Sequence, residues 1–98
     1  MIRGALADEM RFVWSAWRLH EIRRGQLRQR DSRAWNRLAE QVAKPETTLV
    51  ATNEDGLVDG FLVFGERAVL FLYVRLSARR RGVARALLEH LSSRAEMR

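Results

Sequence analysis

Apolar and polar positions along the chain follow two different periods. From Met10, apolar residues recur at Val13, Trp14 and Trp17, with Phe12, Ala16 and Leu19 on an adjoining face. That spacing predicts a helix with a wide apolar arc, and Asp8 is placed to cap its start. Residues 18–30 are polar with Gly25 in their middle, which predicts a helix end followed by a loop. A second helix presents Trp35, Leu38, Ala39 and Val42 on one face, with Asp31 or Ser32 as its cap. Pro45 stops it and pushes Lys44 out of helical geometry.

Beyond Pro45 the period becomes extended. Residues 47–52 are rich in β-branched side chains, and an Asn53-Glu54-Asp55-Gly56 turn with a hairpin-type Asp-Gly follows. Residues 57–64 predict the next strand, in which Gly60 marks a bulge or a close backbone approach. A second tight turn contains Gly65, Glu66 and Arg67, and residues 68–76 predict a third strand. Apolar positions then return to helical spacing at Ala84, Leu87, Leu88 and Leu91. With a short strand in residues 1–5, the order is strand, two helices, a three-stranded antiparallel meander and a last helix. This is a single α/β domain over residues 1–98, with an α+β mixed sheet.

Composition narrows the chemistry. The chain has 98 residues, no cysteine and a net charge of +6 from 18 basic and 12 acidic residues. Disulfides, thiolate metal sites and a cysteine nucleophile are therefore excluded. His20 and His90 lack any ligand spacing, so no metal is expected. No apolar run reaches the length of a membrane span, and the first residues do not form a signal peptide. A cytoplasmic protein is expected. Lys44 is the single lysine and all other basic residues are arginine. Residues 18–37 hold seven arginines against Glu21 and Asp31, and residues 75–85 hold five with no acid. Both patches favour anionic partners, because the guanidinium grips phosphate with two parallel donors.

The second patch falls between the third strand and the last helix. A helix start carries unpaired N–H groups and a partial positive charge, so a turn with Arg79, Arg80, Arg81 and Arg85 around Gly82 suits an anion. Neither the G-x-x-x-x-G-K-[ST] loop nor the G-x-G-x-x-G fingerprint is present, and no nucleophile-elbow context appears.

Arg79-x-x-Gly82-x-Ala84, preceded by an apolar strand and followed by an amphipathic helix, resembles the R/Q-x-x-G-x-G/A signature of the GCN5-related N-acetyltransferases (GNAT). The order of elements is similar too, so the resemblance spans essentially the whole chain. It implies an N-acetyltransferase that uses acetyl-coenzyme A (acetyl-CoA) and acetylates an amine of unknown identity. The turn formed by Arg79, Arg80, Arg81, Gly82, Val83, Ala84 and Arg85 would then hold the coenzyme pyrophosphate. Backbone groups near Leu72 and Val74 would pair with the pantetheine arm like an added strand. The candidates for a general base are Glu66 and Asp59, with Glu21 more remote. Tyr73, the only tyrosine, is the candidate acid. Residues 19–33 occupy the acceptor region of the family, where positive charge suits an acidic acceptor and repels polyamines.

The resemblance has one departure. The family continues past the motif helix with another strand, a helix and a hairpin, and this sequence ends with that helix. A short GNAT-like form is therefore expected to complete its cleft with a homodimer or hetero-complex partner, at the strand edge running from Leu70 to Val74. Two alternatives stay open. One is a non-catalytic GNAT-like module that binds a protein partner. The other is a nucleic-acid binder using both arginine patches, with Trp14, Trp17 or Trp35 stacking on bases.

Overall fold

A computed structural model describes residues 1–25 and 32–96. The elements are β1 (Ile2–Gly4), α1 (Met10–Arg23), α2 (Ser32–Val42), β2 (Thr48–Thr52), β3 (Val58–Phe64), β4 (Val69–Val74) and α3 (Val83–Glu96). The four strands form one sheet in the order β1-β2-β3-β4, with every neighbouring pair antiparallel.

The strands read as apolar runs because both faces of the sheet are covered. On one face, Val50, Phe61, Val63 and Phe71 pack with Met10 and Val13 of α1 and with Ala43. On the other, Leu49, Ala51 and Leu62 pack with Leu87 of α3. Successive strand residues point to opposite faces, so a sheet buried on both sides needs no polar alternation. The result is a three-layer arrangement with α1 and α2 on one side and α3 on the other.

The meander, the second helix and the motif helix form as the pattern predicts. Several details differ. Asp8 does not cap α1. A 3-10 turn, Ala7–Glu9, leads into that helix, and the Glu9 carboxylate accepts the Leu6 N–H at 2.8 Å. That carboxylate also forms a fork with Arg3, at 2.7 and 2.8 Å. α1 runs to Arg23, so the polar residues from Arg18 onward continue the helix and do not end it. Asp31, one of the two proposed caps of α2, lies outside the described residues. On α2, Ala39 is buried, whereas Leu38 and Val42 are exposed. Trp14 and Trp17 pack against the core, and the Trp14 indole donates to the Ala43 carbonyl at 2.9 Å. Trp17 stacks on Phe71 and meets Trp35 edge-on.

Gly60 meets both of its expectations. Pairing with β2 steps by one residue between Ala51 and Thr52, which leaves Asp59 bulged beside it. A Cβ on Gly60 would stand 2.7 Å from the Tyr73 carbonyl oxygen and 3.1 Å from Val83. β3 therefore lies close under both β4 and the start of α3. Pairing of β3 with β4 steps in the same way near Leu70, opposite the Val63/Phe64 irregularity.

Candidate functional site: an open strand edge that ends on an arginine turn

β4 is the last strand of the sheet, and among the described residues it pairs on one side only. The direction of its backbone groups follows from the ladder. Arg75 donates its N–H to the Asp59 carbonyl at 2.7 Å, so Arg75 faces β3. In an antiparallel pair, residues alternate between facing the partner and facing away. Tyr73 and Phe71 therefore share the direction of Arg75, and the N–H and C=O of Leu72 and Val74 face the open edge. The Val74 carbonyl confirms this parity, because it accepts a hydrogen bond from Arg79 Nε at 3.0 Å.

The edge leads through a short 3-10 turn, Leu76–Ala78, to the arginine turn. Two residues there adopt left-handed backbone conformations, Arg80 at φ 67° and Gly82 at φ 79°. Glycine does so at no steric cost, whereas arginine is held there at a cost of about 1–2 kcal/mol. The Ala86 N–H donates to the Gly82 carbonyl at 2.9 Å, which closes the first turn of α3. The N–H groups of that first turn have no partner within the helix.

Leu72, Tyr73, Val74, Arg79, Arg80 and Gly82 line a groove of about 510 Å³, joined by Val83, Ala84 and Arg85 and, at one wall, by Phe71 and His20. A second groove of about 320 Å³ lies beside it under α1, lined by Phe12, Ser15, Ala16, Leu19 and Arg23. His20, Tyr73 and Arg79 border both grooves. Among the described residues, no carboxylate lines either one. The Tyr73 ring stacks on Phe61 with centroids 5.3 Å apart and meets Phe12 edge-on, so its position is fixed by packing.

The structure thus brings together Leu72, Tyr73, Val74, Arg79, Arg80, Gly82, Val83, Ala84 and Arg85. It sets other candidates apart. Arg81 lines a different, polar cleft with Met1, Arg3 and residues 52–56. The left-handed turn at Arg80 sends neighbouring side chains in different directions. Glu66 is exposed in the β3–β4 turn and lines a cavity of about 620 Å³ with Val42, Leu70 and Arg94. The six residues of β4, at about 3.3 Å each, separate that turn from the arginine turn. Asp59 is engaged by Arg75 at 2.8 Å and by the Asn53 amide at 3.3 Å. Arg85 is engaged by Glu89 at 3.0 Å. Glu21 stands beside His20, its carboxylate 3.5 Å from Nδ1.

His20 is the site residue that sequence reading missed. Its ring centroid lies 5.1 Å from that of Phe71. A signal was available, since Val13, Trp17 and His20 fall at i, i+4 and i+7 on the helix face that meets the sheet. The charged residues around it obscured that periodicity.

The profile of an acetyltransferase (GNAT) domain matches residues 21–98. The solution structure of the apo form of YjaB from Escherichia coli is similar in fold, with a TM-score of 0.69 and 24% sequence identity. The match covers 95% of this chain and 64% of that one, so the chain spans less than two thirds of its structural neighbour. No curated protein matches the sequence.

Proposed function

The chain belongs to the GNAT acetyltransferase family, and on that premise we propose that it transfers an acetyl group from acetyl-CoA to an amine. The observation that carries this reading is the β4 edge, whose outward-facing backbone groups at Leu72 and Val74 lead directly into the arginine turn. An extended amide chain adds to such an edge by main-chain hydrogen bonds. The pantetheine arm of acetyl-CoA carries two amides and fits this edge. When it pairs there, Arg79 Nε leaves the Val74 carbonyl and turns to the phosphates.

The pyrophosphate lies over Gly82, Val83 and Ala84. The small or absent side chains at Gly82 and Ala84 let it approach the free N–H groups of the first turn. The helix terminus contributes about 0.3–1 kcal/mol per exposed charge. Arg79 and Arg80 add charge-assisted hydrogen bonds. The acetyl thioester then lies near Tyr73, where the two grooves meet. The acceptor amine enters from the groove under α1, and its nitrogen forms a bond to the acetyl carbon as the C–S bond breaks. The Tyr73 hydroxyl is positioned to return a proton to the departing thiolate. With Arg23 and Arg79 in its lining and no carboxylate there among the described residues, this groove favours acidic or neutral acceptors over polyamines.

Thiol release from acetyl-CoA tests the reading, and the chain itself has no thiol to give background. Acetyl-CoA is expected to raise the melting temperature by ligand linkage. Gly82→Glu, which sets bulk and negative charge under the pyrophosphate, is expected to abolish both signals. Absence of a shift at millimolar acetyl-CoA in the wild-type chain would sink the proposal.

The exposed Val69 and Leu70 on the same edge favour a second reading, pairing of β4 with a second copy of the chain. Pairing at Leu72 and Val74 would compete with the pantetheine arm. Light scattering is therefore expected to show a dimer that saturating acetyl-CoA dissociates. A dimer indifferent to acetyl-CoA would place its interface elsewhere.

A further inference from the structure

We propose that His20 is the general base that takes the proton from the attacking amine, and that Glu21 holds its ring. This rests on the acetyl-transfer reading above and names the group that completes it. Three observations support it. His20 borders both grooves together with Tyr73 and Arg79, so it stands where an amine entering from the α1 side would meet an acetyl group lying along β4. Nδ1 is buried and makes no hydrogen bond among the described residues, and the Glu21 carboxylate is 3.5 Å from it. Of the carboxylates proposed as bases from sequence, Glu21 is set against His20 Nδ1, and the other two stand elsewhere or are occupied. Glu66 is at the far end of β4, and Asp59 is bound to Arg75 and Asn53.

The two ring nitrogens then divide the work. A carboxylate beside Nδ1 favours the tautomer with the proton on Nδ1, which leaves the Nε2 lone pair as the acceptor. The Phe71 ring packs against it, with centroids 5.1 Å apart. As the amine nitrogen bonds to the acetyl carbon, its proton passes to Nε2 and the imidazole becomes imidazolium. The Glu21 carboxylate stabilises that charge. The electron pair of the C–S bond leaves with sulfur, which takes a proton from the Tyr73 hydroxyl. Solvent then removes the proton from His20 and restores that of Tyr73. Arg79 from the turn and Arg23 on the same helix also face this space, and their positive charges oppose the imidazolium. Glu21 is the acid set beside the ring among the described residues, and its charge offsets theirs.

The test compares the wild-type chain with His20→Gln, His20→Ala and Glu21→Gln. It follows thiol release from acetyl-CoA with hydroxylamine as a small acceptor, at one pH, as the rate above that of the same mixture without protein. The acetyl-CoA melting shift is read on each variant. His20→Gln is expected to lower kcat by about a hundredfold. It should leave the acetyl-CoA shift in place. Added imidazole is expected to restore part of the rate of His20→Ala, which a purely structural role would not allow. Glu21→Gln is expected to lower kcat less than loss of the imidazole does. Wild-type release that His20→Gln leaves unchanged would overturn the role of His20 alone. A wild-type chain that releases no thiol above the protein-free rate removes the acetyl-transfer reading, and the role of His20 with it.

Discussion

The two edges of the sheet treat charge in opposite ways. At the β1 edge, Arg3 and Glu9 answer each other through two short hydrogen bonds, and Glu9 also accepts the Leu6 N–H. The arginine fork holds the Glu9 carboxyl below its ordinary range, and the same bond raises Arg3. At the end of the β4 edge, Asp59 answers Arg75 and Glu89 answers Arg85. Arg79, Arg80 and Arg81 form no ion pair among the described residues. Arg79 spends its Nε on a backbone carbonyl. One edge is closed by its own chemistry, and the other keeps donors and charge in surplus. A fold gains nothing by crowding like charges on a strained turn, so the surplus points to an anion from outside.

Substitutions can break that contrast. The largest effect is expected at Gly60, the backing of the open edge. Gly60→Val would drive a side chain into the Tyr73 carbonyl and Val83, at a cost of about 3 kcal/mol in stability. Denaturant unfolding measures it, and a loss under about 1 kcal/mol would mean that β4 moves freely over β3.

Next comes Arg79→Gln. It is expected to weaken acetyl-CoA binding by about tenfold or more, the scale of one charge-assisted hydrogen bond, with little change in stability. Calorimetric titration and a melt of the free chain check both halves. Glu9→Gln should do the reverse, costing about 1 kcal/mol of stability at neutral pH and leaving acetyl-CoA affinity alone.

The Glu9 effect carries a pH signature. Its folded-state pKa is lowered, so its contribution is fully present above the ordinary glutamate range. The contribution disappears as pH falls through the lowered value. Below that point the melting temperatures of the wild type and Glu9→Gln should converge. The smallest effect belongs to Arg80→Gly. It relieves a left-handed arginine but adds chain entropy to the unfolded state, so stability should change by under about 1 kcal/mol while acetyl-CoA binding weakens.

The elements were legible where the period was strong. The β2–β4 meander was marked by β-branched runs and an Asp-Gly turn, and α3 by its apolar face after Gly82. The motif turn was legible as an anion site because its residue types and flanks carry the chemistry locally. What escaped depended on three dimensions. α1 extends to Arg23 through a polar stretch because its sheet-facing side carries His20 among charges. Leu38 and Val42 have core spacing but stand exposed, because α2 makes its main helix contact with α1 and buries chiefly Ala39. Arg81 and Arg79 are two residues apart, and a left-handed residue between them sends them into different clefts. Glu66 is close to β4 in sequence, yet the extended strand carries it far from the turn.

The central claim is that the charge surplus at the open edge holds acetyl-CoA. Calorimetric titration of acetyl-CoA into the wild-type chain, Gly82→Glu and Glu9→Gln tests it most directly. The account predicts saturable binding to the wild type, the same affinity for Glu9→Gln, and none for Gly82→Glu. Equal binding to all three, or no binding to the wild type, would contradict it.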